Sequence, residues 1–204
     1  TWKLTLPNAY FGKFNPFAST VLGDWFDPRG RVHHLGMVYL NGEWMAEAAS
    51  HLNEVRQPAA GQPRWYARVD KAGVSTSDNT TIWAQFPGID PNTSDVEIAK
   101  RYTVFTPEKT NIDYITVRGF KLRNAASNWA APTSGQHGLV TAYWCKGWII
   151  EDNEISYSRC CGIALGKYSD EWDNRRGSQK GYHATIADAL KTGGWYKDKI
   201  GGHS

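Results

Sequence analysis

Apolar and polar positions alternate in short bursts along the first part of the chain, and turn residues interrupt them every few positions. The run Trp2-Lys3-Leu4-Thr5-Leu6 is the first of these, and a period of two marks a half-buried strand. Residues 36–40, 65–69 and 80–86 read as further strands. Asn41-Gly42 stands between Val38-Tyr39-Leu40 and Trp44-Met45; this dipeptide accepts the positive φ angles of a two-residue turn and predicts a hairpin tip. Breaks recur at Asp27-Pro28, Pro87-Gly88 and Asp90-Pro91. Short strands at this spacing predict a small antiparallel β-sandwich module over residues 1–95.

From residue 96 the pattern changes. Val96-Glu97-Ile98 and Tyr102-Thr103-Val104-Phe105 are strand-like. The segment from Tyr114 to Asn124 then returns in altered form as Gly147 to Ser156, with Ile115 matching Trp148, Val117 matching Ile150 and Leu122 matching Ile155, an offset of 33. Each copy has two apolar positions two apart, a polar or glycine corner, and one more apolar position. One coil of a parallel β-helix is written this way. Gly162 to Gly166 supplies a third side. Counted backwards, the repeat meets Pro87, which a regular coil does not accommodate. Counted forwards, it gives way to Ile186, Ala187 and Leu190 at helical spacing, which predicts an inserted helix over 182–191. The expected fold class is all-β: parallel β-helix coils with an inserted loop and one short inserted helix over 96–204, beside the sandwich.

Composition narrows the function. Hydrophobic residues make up 41% of the 204 and charged residues 21%, enough for a core. The net charge of +3 is small and the basic residues are scattered, so nucleic acid is not an expected partner. No apolar run approaches the length of a membrane-spanning helix, and no membrane association is expected. Cys145, Cys160 and Cys161 are odd in number and lack metal spacing. They point to a reducing compartment such as the cytoplasm, or to a secreted protein that needs no disulfides. Ten Trp and ten Tyr suit either of two uses: rings that stack on the apolar faces of sugars, or rings that fill a β core.

Glycosidic hydrolysis needs a carboxyl group on each side of the scissile bond, about 5–5.5 Å apart in a retaining enzyme. Glu151, Asp152 and Glu154 follow the strand alternation outward and read as a solvated face. Asp170, Glu171 and Asp173 share a loop with Tyr168 and Trp172; the loop suits sugar hydroxyls, a calcium ion or simple capping. Asp24-Trp25-Phe26-Asp27-Pro28 offers Trp25 as a stacking platform. His33-His34 lacks a third ligand for a metal. His137, after Gln136, suits either a sugar hydroxyl or the closing of a turn. The expected sugar contacts are Trp25, Gln136, His137, Trp144, Glu171 and Asp173; no metal or other cofactor is expected.

The motifs Tyr114 to Phe120, Trp129 to Thr133, Lys146 to Asn153 and Gly162 to Tyr168, with Asp170 to Asn174, resemble glycoside hydrolase family 120. Phe14-Asn15-Pro16, Gly23 to Pro28 and Val38 to Gly42 extend that resemblance to nearly the whole chain. It implies a right-handed parallel β-helix interrupted by a β-sandwich, and a retaining β-xylosidase that releases xylose from xylo-oligosaccharides. The family's nucleophilic Asp and acid/base Glu stand in motifs of the Leu-Asp-Trp and Glu-Val-Asn-His-Gly types, and neither motif occurs here. No catalytic residue is therefore assigned, and the match reads as a middle segment. Because stacked coils need about three repeats and capped ends, a homo-oligomer or association with the remaining segments of the same enzyme is expected. The alternatives are a polysaccharide lyase using Lys167, Arg175 or Arg176, and a non-catalytic carbohydrate-binding or structural segment.

Overall fold

The computed structural model describes residues 1–21, 26–48, 52–57, 62–70, 78–109, 111–129, 137–143 and 145–165. The helix expected over 182–191 lies outside them. The chain divides into two compact units, with the division along the chain between Arg101 and Tyr102, and the described residues are all-β apart from single helical turns.

In the first unit the amino-terminal alternation becomes β1 (Trp2–Pro7). It is followed by β2 (Val38–Leu40), β3 (Glu43–Trp44) and β4 (Ala46–Glu47). A single helical turn, α1 (Asn53–Arg56), leads to β5 (Arg64–Val69), β6 (Asn79–Gln85) and β7 (Val96–Ile98). One sheet has the order β1-β6-β5-β4 and the other β3-β2-β7. All pairings are antiparallel except that of β4 with β5. Asn41 and Gly42 form the tip between β2 and β3, with Leu40 opposite Glu43 and φ angles of 52° and 83°. The domain boundary expected after residue 95 falls a few residues later: Val96–Ile98 pairs with β2 and completes the second sheet.

Inward-facing residues of both sheets share one core, in which Val38, Leu40, Trp65, Ala67, Ile82 and Ala84 meet Phe11 and Phe17. Trp65 is 1% exposed and donates Nε1–H to the Met45 carbonyl at 3.1 Å, which satisfies the one polar atom its burial strands. Gly36 is needed where it stands, because a Cβ there would run into the Phe17 ring. A buried polar knot ties the amino-terminal turn to β6. Asn15 Nδ2 donates to Thr80 Oγ1 at 2.7 Å, and Thr80 Oγ1 donates to Asn8 Oδ1 at 2.8 Å.

The second unit is built from parallel ladders. Its strands are β8 (Thr116–Arg118), β9 (Lys121–Ala125), β10 (Val140–Thr141), β11 (Ile149–Glu151), β12 (Glu154–Ser158) and β13 (Ile163–Ala164). β8 pairs with β11 and β9 with β12, both parallel and both at the offset of 33 seen in the sequence, with Val117 beside Ile150 and Leu122 beside Ile155. Val117 and Leu122 are buried with Val140, and half-buried Ile115, Trp148, Ile150 and Ile155 pack around them.

The corners repeat as faithfully as the strands. Left-handed backbone falls at Tyr114 and Gly147 (φ 61° and 63°), Gly119 and Asp152 (76° and 54°), and Asn124 and Tyr157 (68° and 56°). Such φ values are unusual for residues other than glycine, so their recurrence 33 residues apart shows two congruent coils. Asn153 clamps the corner beneath it: its Nδ2 donates to the Val117 carbonyl at 2.8 Å and its Oδ1 accepts from Phe120 N at 3.0 Å.

The third side breaks the spacing. β10 pairs with β13 in parallel, Val140 beside Ile163, only 23 residues apart. The first coil therefore carries ten more residues than the second between its second and third strands. Phe105 adds an earlier rung through a parallel bridge to Val140. Thr141 N donates to the Phe105 carbonyl at 2.9 Å, and Val140 N donates to that of Gly162 at 3.1 Å. Tyr102–Phe105, expected as a strand, is thus the third side of a preceding coil rather than a strand of its own.

Candidate functional site

His137 stands three positions before Val140. Tyr102 stands three positions before Phe105, and Cys160 three before Ile163. Tyr102 and His137 are brought together just ahead of the third side. The Tyr102 and His137 rings stack with centroids 5.5 Å apart and planes inclined by 23°. His137 N donates to Asn128 Oδ1 at 3.4 Å, which fixes the backbone where the expanded corner rejoins the stack. The next residue, Gly138, leaves no room for a side chain: a Cβ would lie 2.8 Å from both Ala164 N and Gly162 O of the neighbouring coil.

Burial pulls the His137 pKa below its ordinary value, so the imidazole is neutral at neutral pH. Its Nδ1 is buried and has no hydrogen-bond partner among the described residues. Burial pushes the Tyr102 phenol up, so it keeps its proton. A neutral imidazole, a phenol and a carboxamide offer both donors and acceptors beside flat apolar rings. That combination matches hydroxyl groups on a carbon ring rather than an ion.

The neighbouring polar groups are structural. Ser127 Oγ accepts from Cys160 N at 3.2 Å and Cys161 N at 3.1 Å, and lies 2.6 Å from Ser158 Oγ, which donates to the Cys161 carbonyl. This joins the turn before β13 to the end of β9. Desolvation pushes both vicinal thiols above their ordinary pKa, so neither is an activated nucleophile. Cys145 is buried and accepts from Ile112 N at 3.4 Å.

Four carboxylates of the second unit have structural partners. Arg118 reaches Asp152 at 3.0 Å and Glu151 at 3.5 Å, and Lys121 reaches Glu154 at 3.5 Å, forming an exposed ladder between the two coils. Asp113 Oδ1 accepts from Lys146 N at 2.7 Å. The outward face expected for residues 151–154 is therefore a solvated ion ladder. In the first unit, His34 Nδ1 lies 2.6 Å from Glu47 Oε1, and the same carboxylate accepts from His34 N. Among the described residues no group of three His, Cys, Asp or Glu is placed to hold a metal ion.

Of the six expected sugar contacts, His137 is described. Trp25, Gln136, Trp144, Glu171 and Asp173 lie outside the described residues, as do Lys167, Arg175 and Arg176. Reasoning from sequence missed Tyr102 and Asn128. Tyr102 is 35 positions before His137, outside the repeat offset of 33, and Asn128 contributes through its side-chain oxygen to a backbone amide, for which sequence has no periodic signal.

The model of the glycoside hydrolase 120 insertion domain matches residues 1–98. No curated protein matches the chain. A solved structure, described as the complex structure of XylC with xylose, is similar with a TM-score of 0.74 and 36% sequence identity over 94% of this chain. The chain spans 33% of the length of that structure. Residues 1–98 thus resemble a glycoside hydrolase 120 insertion domain, and the chain as a whole is similar to a segment of XylC.

Proposed function

We propose that this chain belongs to a retaining β-xylosidase that releases xylose from xylo-oligosaccharides, and that its parallel coils contribute sugar contacts to that enzyme. The observation that carries the reading is the 36% identity over nearly the whole chain to a protein whose structure holds xylose. The stack of Tyr102 and His137 supports it, because a phenol and a neutral imidazole with flat rings suit sugar hydroxyls. Trp25, Gln136, Trp144, Glu171 and Asp173 remain the further contacts we assign to the sugar. The carboxylate pair is not assigned to any residue of this chain, since Asp113, Glu151, Asp152 and Glu154 pair with groups of the neighbouring coil.

The test is hydrolysis of xylobiose by the full-length protein carrying this segment, followed by proton NMR of the first sugar released. Retention predicts β-xylose as the initial product, with the α anomer appearing later by mutarotation. Initial release of α-xylose, or no hydrolysis of xylosides while uronate polymers are cleaved with a new double bond, overturns the reading.

A further inference from the structure

The side of the β1-β6-β5-β4 sheet turned away from the core carries a cluster that the xylosidase reading does not use. Lys3, Trp83 and Tyr66 stand opposite one another across three adjacent strands. The Tyr66 and Trp83 rings stack with centroids 6.0 Å apart and planes inclined by 29°. The Arg68 guanidinium lies 5.6 Å from the centre of the Trp83 ring, and the Arg68 side chain is 64% exposed. Arg64 and Gln85 face each other at one end of the row, and the Thr5 and Thr81 hydroxyls, 3.5 Å apart, lie at the other. Asp70, 3.6 Å from Arg68, is the carboxylate at the margin of the cluster. Trp83 and Tyr66 are half-buried while Lys3 and Arg68 are exposed.

These rings contribute nothing to the core described above, which lies on the opposite side of the sheet. Among the described residues, the exposed cations Lys3 and Arg68 stand beside the rings, with Asp70 at the margin. Aromatic faces accept the apolar face of a pyranose, and a guanidinium fork recognises a carboxylate with two parallel hydrogen bonds. We propose that this face binds an acidic xylan: a pyranose of the chain rests against Trp83 and Tyr66, and a uronate substituent pairs with Arg68, with Lys3 as a second cation. The choice of sugar polymer rests on the family-level reading. The charge complementarity of the face selects the acidic polymer over the neutral one. Such a surface holds polymer near the enzyme without taking part in cleavage.

The experiment is affinity electrophoresis of the full-length protein in native gels containing glucuronoxylan, carboxyl-reduced glucuronoxylan or single-stranded DNA. Glucuronoxylan is expected to retard the protein at least fivefold more strongly than the carboxyl-reduced polymer. Trp83→Ala should abolish the retardation and Trp83→Phe preserve most of it, with thermal melts confirming that both fold. Arg68→Gln should erase the preference for the acidic polymer while leaving weak binding. Equal retardation by both xylans, unchanged retardation in Trp83→Ala, or stronger retardation by single-stranded DNA overturns the proposal. Retardation is read without hydrolysis, so failure of the xylosidase reading leaves this result interpretable by itself.

Discussion

Replacing Gly138 with alanine probes the closest approach between successive rungs. Gly138 lies just after the expanded corner, and a Cβ would meet Ala164 N and Gly162 O at 2.8 Å and Ile163 C at 2.9 Å. The obstacles are backbone atoms of β13 and the residue before it, held by the Val140 N to Gly162 O and Ala142 N to Ala164 O hydrogen bonds of 3.1 and 3.0 Å. No side-chain rotation relieves the contact; the rungs must part and stretch those bonds. Overpacking in a fitted interior costs about 1–3 kcal/mol, and a backbone obstacle puts Gly138→Ala near ~3 kcal/mol. Gly119→Ala is the control. It has nothing within 4 Å of the added Cβ but sits at φ 76°, so it carries only the left-handed backbone cost of about 1–2 kcal/mol. Urea titration followed by tryptophan fluorescence gives both values. Equal or smaller destabilisation by Gly138→Ala refutes the close parallel packing of the third side.

Other expectations follow from the same geometry. Thr80→Val removes the hydroxyl shared by Asn8 and Asn15 and should cost about 1–3 kcal/mol in urea titration, for the desolvation of groups left behind; a neutral result contradicts the polar knot. Arg118→Ala removes exposed ion pairs and should cost under about 1 kcal/mol, falling further in high salt. For His137 the folded pKa lies below the unfolded value near 6.5. The unfolded state therefore takes up its proton first, and the stability present above that value is lost as pH falls through the folded pKa. Urea midpoints from pH 7.5 to 5 should fall less steeply in His137→Gln than in the wild-type chain; parallel curves contradict the burial of the imidazole.

The coil was legible in sequence because its inward positions and its corners both repeat. Val117 and Ile150 carry the apolar period, while Gly119 and Asp152, residue types tolerant of left-handed backbone, mark the bend. The third side was legible only in part. The ten added residues move Ile163 out of register with Val140 under a fixed offset, and the rung at Phe105 is a single bridge with no alternation to detect. Val96–Ile98 was grouped with the coils because three residues carry no sign of their partner; pairing with β2 is a long-range choice made by the sheet. The turn Asn53–Arg56 is shorter than any window in which a helical period shows. His137 stood out in sequence as a histidine after Gln136 suited to a sugar hydroxyl or to closing a turn, but Tyr102 and Asn128 are brought beside it by folding alone.

The central claim is that the third side of the first coil offers His137 to xylose. It is tested most directly by a titration of the ¹⁵N-labelled full-length protein with xylose, following the imidazole nitrogens by NMR. The account predicts a saturable shift of the His137 imidazole nitrogen resonances at pH 7, absent in His137→Gln and much weaker with galactose. His137 imidazole resonances that stay fixed while xylose saturates the protein elsewhere, or that move equally with any sugar, contradict it.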